Sequence, residues 1–145
     1  MRLMPYGLGA ALLSLLALPA PSSSAAAADP APAHARYRHT AADISRFLTS
    51  FYGDHGPSAH DRSQRISQHL KDRQALTLSQ DLDILLCARQ EPQDIAVGPV
   101  TVAQSANVGW ATVTTHWDAG TTDTFTAYVR LDSQPISLDD VICAG

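Results

Sequence analysis

From Pro99 to Cys143 apolar residues recur with a period of two, and nowhere else in the chain do they do so. Val100 and Val102 alternate with Thr101 and Ala103, and Ala111, Val113 and Trp117 alternate with Thr112, Thr114 and His116. Phe125, Ala127, Val129 and Leu131 share one parity against Thr124, Thr126, Tyr128 and Arg130. Successive side chains on a strand point to opposite faces, so each run has one apolar face and one polar face. The pattern predicts an antiparallel sheet buried on one side only. Gln104–Asn107, Asp118–Asp123 and Asp132–Pro135 separate the runs and hold the residues that favour turns. In the last run Ile136 and Leu138 share a parity and Val141 and Cys143 take the other, so a bulge at Asp139 or Asp140 would turn all four inward.

An apolar sheet face has to be covered, and the helical pattern that can cover it lies upstream. Thr40 is suited to cap a helix, with Asp43 in the first turn where the helix dipole favours an acid. Ile44, Phe47, Leu48 and Phe51 follow at i, i+3, i+4 and i+7 on one face, and Gly53 ends the element. A second helix is expected from Ser58 or Asp61, turning Ile66 and Leu70 inward and Arg62, Arg65, Lys71 and Arg73 toward water. Leucines from Leu76 to Leu86 predict a third short helix through Asp81–Leu85, with Ala88–Asp94 crossing to the sheet. The expected fold is α+β: two or three N-terminal helices on a curved four-stranded antiparallel sheet, in one domain from residue 40 to residue 145.

Residues 1–28 read as a signal peptide: Arg2, then an apolar stretch Leu8–Leu18, then small residues with A-x-A matches at Ala25–Ala28. The apolar stretch is shorter than the roughly 20 residues a bilayer span needs. A periplasmic or secreted product is expected, with no membrane attachment after cleavage. Residues 29–39 read as a flexible leader that leaves His34 and His39 unheld. The chain carries a net charge of -4 and has no basic cluster with interleaved aromatics, which argues against nucleic acid and anionic membrane as partners.

Cys87 and Cys143 are the two cysteines, one closing the helical half and the other the last strand. In an exported chain a disulfide is the default, and it would close a loop of roughly 57 residues. Neither cysteine lies in a C-x-x-C.

Three stretches, Phe47-Leu48-Thr49-Ser50-Phe51-Tyr52, Leu86-Cys87-Ala88-Arg89-Gln90-Glu91-Pro92 and Leu138-Asp139-Asp140-Val141-Ile142-Cys143, occur in this order around the meander. This layout resembles the exported DUF3828 domains, which are similar in shape to the NTF2-like, or cystatin-like, α+β fold. The resemblance implies a sheet wrapped around the first helix as a cone with an open end, and a dimer through the exposed sheet face. It implies no activity.

Some NTF2-like enzymes hold an acid, a tyrosine or a histidine inside the cone for proton transfer, which requires a base within hydrogen-bond reach and a donor for the developing oxyanion. By that analogy Tyr52, Asp139 and Asp140 are pocket candidates for a small hydrophobic ligand, with His116 and Tyr128 as further proton-transfer candidates. No set of these residues is ordered by the sequence into a catalytic site. Asp54, His55, His60 and Asp61 lack the spacing of a structural zinc site, so neither metal nor cofactor is expected. There is no phosphate loop, G-x-S-x-G or H-E-x-x-H. Strand parity instead gathers Trp110, His116, Tyr128 and Arg130 on the outward sheet face among threonines, and aromatic and arginine anchors dominate protein interfaces. The expectation is therefore a non-enzymatic domain that binds a protein partner or itself through that face, immunity proteins against exported toxins being one role for such a domain.

Overall fold

A computed structural model describes residues 37–144, so the signal-peptide reading and most of the leader lie outside the described residues. The element order is α1 (Ala41–Tyr52), α2 (Ala59–Gln64), α3 (Gln68–Thr77), β1 (Asp94–Val97), β2 (Thr101–Ala103), β3 (Val108–His116), β4 (Thr122–Arg130) and β5 (Leu138–Cys143). Three helices precede one antiparallel sheet, the α+β arrangement that the patterning predicts.

The start of α1 follows from its first four residues. The Thr40 hydroxyl accepts from the Asp43 amide at 3.2 Å while the Asp43 carboxylate accepts from the Thr40 amide at 2.9 Å, a reciprocal capping box. These contacts with Thr40, aided by the Arg46 guanidinium, pull the Asp43 carboxyl down to about 2. Gly53 ends the helix at φ 54, where a side chain would be strained. Ile44, Phe47, Leu48 and Phe51 are all buried, as their spacing requires.

The sheet has five strands in four lateral positions. β1 pairs with the far half of β3 (Val97 opposite Val113) and β2 with its near half (Thr101 opposite Trp110), so the two short strands succeed one another along one edge. Gly98–Val100 between them carries one residue more than β3 does, a bulge at which Pro99 is tolerated because it lies on an edge. β1 is the strand that the sequence pattern did not separate from the crossing segment: its four residues, Asp-Ile-Ala-Val, are too few to set a period. At the other edge Tyr128 pairs with Asp140 and Val129 with Leu138, which leaves Asp139 as the extra residue of a second bulge. That bulge buries both Leu138 and Val141 despite their opposite parity.

Where a single second helix was expected, the chain breaks at Arg65–Ser67 and restarts. Ser67 caps α3 through its hydroxyl, which accepts from the Leu70 amide at 3.2 Å. The break lets the Ser67 amide donate to the Leu138 carbonyl and the Leu138 amide donate to the Arg65 carbonyl, at 2.8 and 2.9 Å. The short helix expected through Asp81–Leu85 does not form. A single 3-10 turn at Leu78–Gln80 leads into turns with Asp81 and Cys87 at positive φ, and the Asp83 carboxylate accepts from the Leu85 amide at 3.0 Å. An aspartate that bonds the backbone two residues on competes with helix, which is why the leucine spacing misleads here. His39 is held: it is buried, its ring lies 2.6 Å from the Ser133 carbonyl, and its amide donates to the Leu131 carbonyl.

Cys87 and Cys143 are bonded, with Cα atoms 5.5 Å apart. The bridge ties the turns after α3 to the end of β5.

Candidate functional site

Burial along β3 and β4 alternates without a break from Val108 to His116 and from Phe125 to Arg130, so the parity reading holds at residue level. Trp110 and Tyr128 are directly opposed across the strands, their rings stacked with centroids 6.2 Å apart and planes at 30°. Cross-strand pairs of this kind are worth roughly 0.5–1.5 kcal/mol beyond the area they bury. Thr101 on one side and Asp140 on the other complete the row. Next along the face come Thr112, Thr126 and Ile142, the last 52 % exposed, then Thr114 with Thr124, and finally His116 between Asp94 and Thr122. Arg130 closes the opposite end, its guanidinium 3.2 and 3.3 Å from the Asp132 carboxylate. That contact raises the Arg130 pKa and lowers that of Asp132. Trp110, His116, Tyr128 and Arg130 thus share one face, with the two aromatics in contact and His116 and Arg130 at its ends.

Strand edges are the usual alternative route to association, and here both are modified. On β5 the Leu138 carbonyl and amide are taken by Ser67 and Arg65, the Asp139 carbonyl by the Ser67 hydroxyl at 3.1 Å, and the Val141 carbonyl by Arg73 at 3.2 Å. The β1/β2 edge is interrupted by the Pro99 bulge.

The structure does not assemble Tyr52, Asp139 and Asp140 into a pocket. Tyr52 is fully buried on the inner side of the sheet, edge-on to Phe51 and to Phe125 at 5.1 and 5.5 Å. Asp140 lies beside Tyr128 on the outer face and pairs with Arg73. Asp139 is the bulge residue. The sheet itself separates the phenol from the Asp140 carboxylate, and the principal cavities are lined by other residues. The Tyr52 hydroxyl has no hydrogen-bond partner among the described residues. Burial, with the Asp83 carboxylate adding to it, pushes its pKa well above the ordinary value, so it is a neutral phenol.

A buried hydroxyl without a partner is a stability deficit, so Tyr52→Phe is expected to leave the melting temperature unchanged or to raise the stability by about 1 kcal/mol. Thermal unfolding of the variant checks this; a loss above about 1 kcal/mol would mean that the hydroxyl is hydrogen-bonded in solution.

In the first turn of α2 Asp61 closes on its cap Ser58 and on Arg65, the latter at 2.9 Å, and in the loop before α2 the His55 ring faces the Pro92 carbonyl at 3.4 Å. Burial opposes ionisation of Asp61, but Ser58 and Arg65 together outweigh it and its pKa is lowered. No group of three or more metal-ligating side chains comes together among the described residues. Sequence reading missed the hollows around Arg89, which form only because the turn at Cys87 brings the segment after it against α2 on one side and Trp117 on the other. No protein-family model, curated protein or solved structure matches the chain.

Proposed function

We propose that this chain is an exported, non-enzymatic domain that binds a protein partner, or a second copy of itself, through the outward face of β3 and β4. The observation that carries the reading is the stacked Trp110–Tyr128 pair at the centre of one end of an otherwise threonine-rich face, flanked by Arg130. Rigid aromatics with an arginine beside them give the largest contributions at protein interfaces. The blocked β5 edge and the bulged β1/β2 edge leave the face, rather than strand addition, as the route to association.

Export is part of the proposal. The N-terminal signal-like segment and the Cys87–Cys143 bond both support a periplasmic or secreted location, since disulfides persist in oxidising compartments. The likeness to DUF3828 and to the NTF2-like fold belongs to the same reading, and an immunity-type role is the form of partner binding that fits a small, acidic, exported domain.

Trp110→Ala is expected to weaken association by about 30-fold, the effect of losing a central anchor worth about 2 kcal/mol. Arg130→Ala should weaken it less, since its guanidinium is already engaged by Asp132. Both variants should keep the wild-type circular dichroism spectrum. Unchanged association in both variants would remove the face from consideration.

A further inference from the structure

Residues 82–91 form a strap between the 3-10 turn at Leu78–Gln80 and β1, with no helix or strand beyond the bridge of Asp83 to Ala88. Asp81, where the strap begins, and Cys87 within it have left-handed backbones, at φ 52 and 51. A residue with a side chain keeps that conformation only where its surroundings impose it.

The strap has few other anchors. Asp83 and Ala88 bond each other, amide to carbonyl, at 2.8 and 3.2 Å, so those bonds are internal to the strap and cannot tie it down. Among the described residues, one polar contact leaves residues 82–91, the ion pair of Asp83 with Arg62 at 2.6 Å. Ile84, Leu85 and Leu86 reach the core, but hollows of about 340 Å³ beside Ile84 and of about 460 and 410 Å³ beside Leu86 leave part of their surface without packing partners. A segment held in this way belongs to the low end of local stability.

The other end of the Cys87–Cys143 bond is secured without it. On β5 the Leu138 carbonyl and amide are bonded to Ser67 and Arg65, Arg73 holds Asp140 and the Val141 carbonyl, and β4 pairs along the strand. The bond can also be reached, since Cys143 is exposed and Cys87 lines two hollows.

From this arrangement we infer that the Cys87–Cys143 bond is a redox latch, whose reduction by a dithiol opens the strap while α1 and the sheet stay folded. A thiolate of the dithiol attacks the exposed Cys143 sulfur, and the Cys87 sulfur leaves with the electron pair of the broken S–S bond and takes up a proton. The second thiol of the reagent then attacks the reagent's own sulfur in the mixed disulfide and releases Cys143 as a thiol. The dithiol ends as a disulfide, and its two electrons and two protons end on the two cysteines. Cys87 is then free to leave its left-handed conformation, and Ile84, Leu85 and Leu86 move out of the core with it. An apolar segment that is covered in the oxidised domain is uncovered in the reduced one. The latch is separate from the outward sheet face and stands or falls independently of the partner-binding reading.

Amide hydrogen exchange followed by mass spectrometry, with and without dithiothreitol, tests the latch. In the oxidised protein the Asp83, Leu86 and Ala88 amides are hydrogen-bonded, and peptides over residues 82–91 are expected to show that protection. In the reduced protein those peptides should lose it at the earliest exposure, while peptides from α1, β3 and β4 stay protected and the far-ultraviolet circular dichroism spectrum is kept. Cys87→Ser with Cys143→Ser should give the reduced pattern without dithiothreitol. Oxidised Asp83→Asn should keep the strap protected, because the bond still holds it. An open strap in oxidised Asp83→Asn would make the ion pair the latch and overturn the inference. So would a reduced strap that stays protected, or a reduced protein whose sheet loses protection together with the strap. If the double serine variant does not fold, the wild type with and without dithiothreitol decides alone.

Discussion

Replacing both cysteines, Cys87→Ser with Cys143→Ser, is expected to destabilise the domain by about 4 kcal/mol and to lower its melting temperature by on the order of 15 °C. The two residues are 56 apart in sequence, so the bond removes a large closure entropy from the unfolded chain. It also acts where the fold is otherwise weakly held. The segment from Leu78 to Ala88 is a 3-10 turn followed by irregular turns, with Leu76 and Leu78 each 77 % exposed nearby. Without the bond, the packing of Ile84, Leu85 and Leu86 is left to hold those turns against the core. Denaturant titration of oxidised, reduced and doubly substituted protein measures the effect. If reduced and oxidised protein unfold at the same midpoint, the bond is not the tether between the helical half and β5. Alkylation of the unreduced protein should label neither cysteine.

The second large effect is expected at Gly109, a buried position on β3 facing α1. A Cβ built there would stand 2.5 Å from the Cδ1 of Ile44, which is itself fully buried, and 3.4 Å from the Thr101 carbonyl. The helix approaches the sheet as closely as it does because this position has no side chain. Gly109→Val should therefore cost about 3 kcal/mol, the upper part of the range for overpacking a core. Removing the obstructing group should relieve part of that. In the double variant with Ile44→Ala, the combined loss is expected to be smaller than the sum of the single losses by at least about 1 kcal/mol, as measured by urea unfolding. Additive losses would place the clash elsewhere.

How far the sequence discloses this architecture depends on the range of the interactions that set each part. α1 is legible because its determinants are local: Thr40 and Asp43 cap each other, four apolar residues share a face, and Gly53 supplies the terminating conformation. The outward face is legible because strand parity is strict, and even the bulge at Asp139 follows from the parity conflict between Leu138 and Val141. The break at Arg65–Ser67 is not, since its cause is the pairing of that backbone with Leu138, more than seventy positions away. Nor are the turns around Asp83, where a carboxylate that bonds its own backbone and Arg62 overrides the spacing of the leucines. Tyr52 shows the limit of analogy. Its place after Phe51 allowed a pocket, but the α1 face it shares is turned into the core. The hollow beside Arg89 and Trp117 depends on two chain segments meeting, a juxtaposition that no local pattern encodes.

Whether the Trp110–Tyr128 face is an interaction surface is decided by native mass spectrometry of gently purified protein, wild type beside Trp110→Ala. The wild type is expected to retain a protein partner or a second copy at fixed stoichiometry, and the variant, equally folded, to do so to a much smaller extent. A wild type that appears as a bare monomer at every concentration, or a complex that survives unchanged in Trp110→Ala, would contradict it.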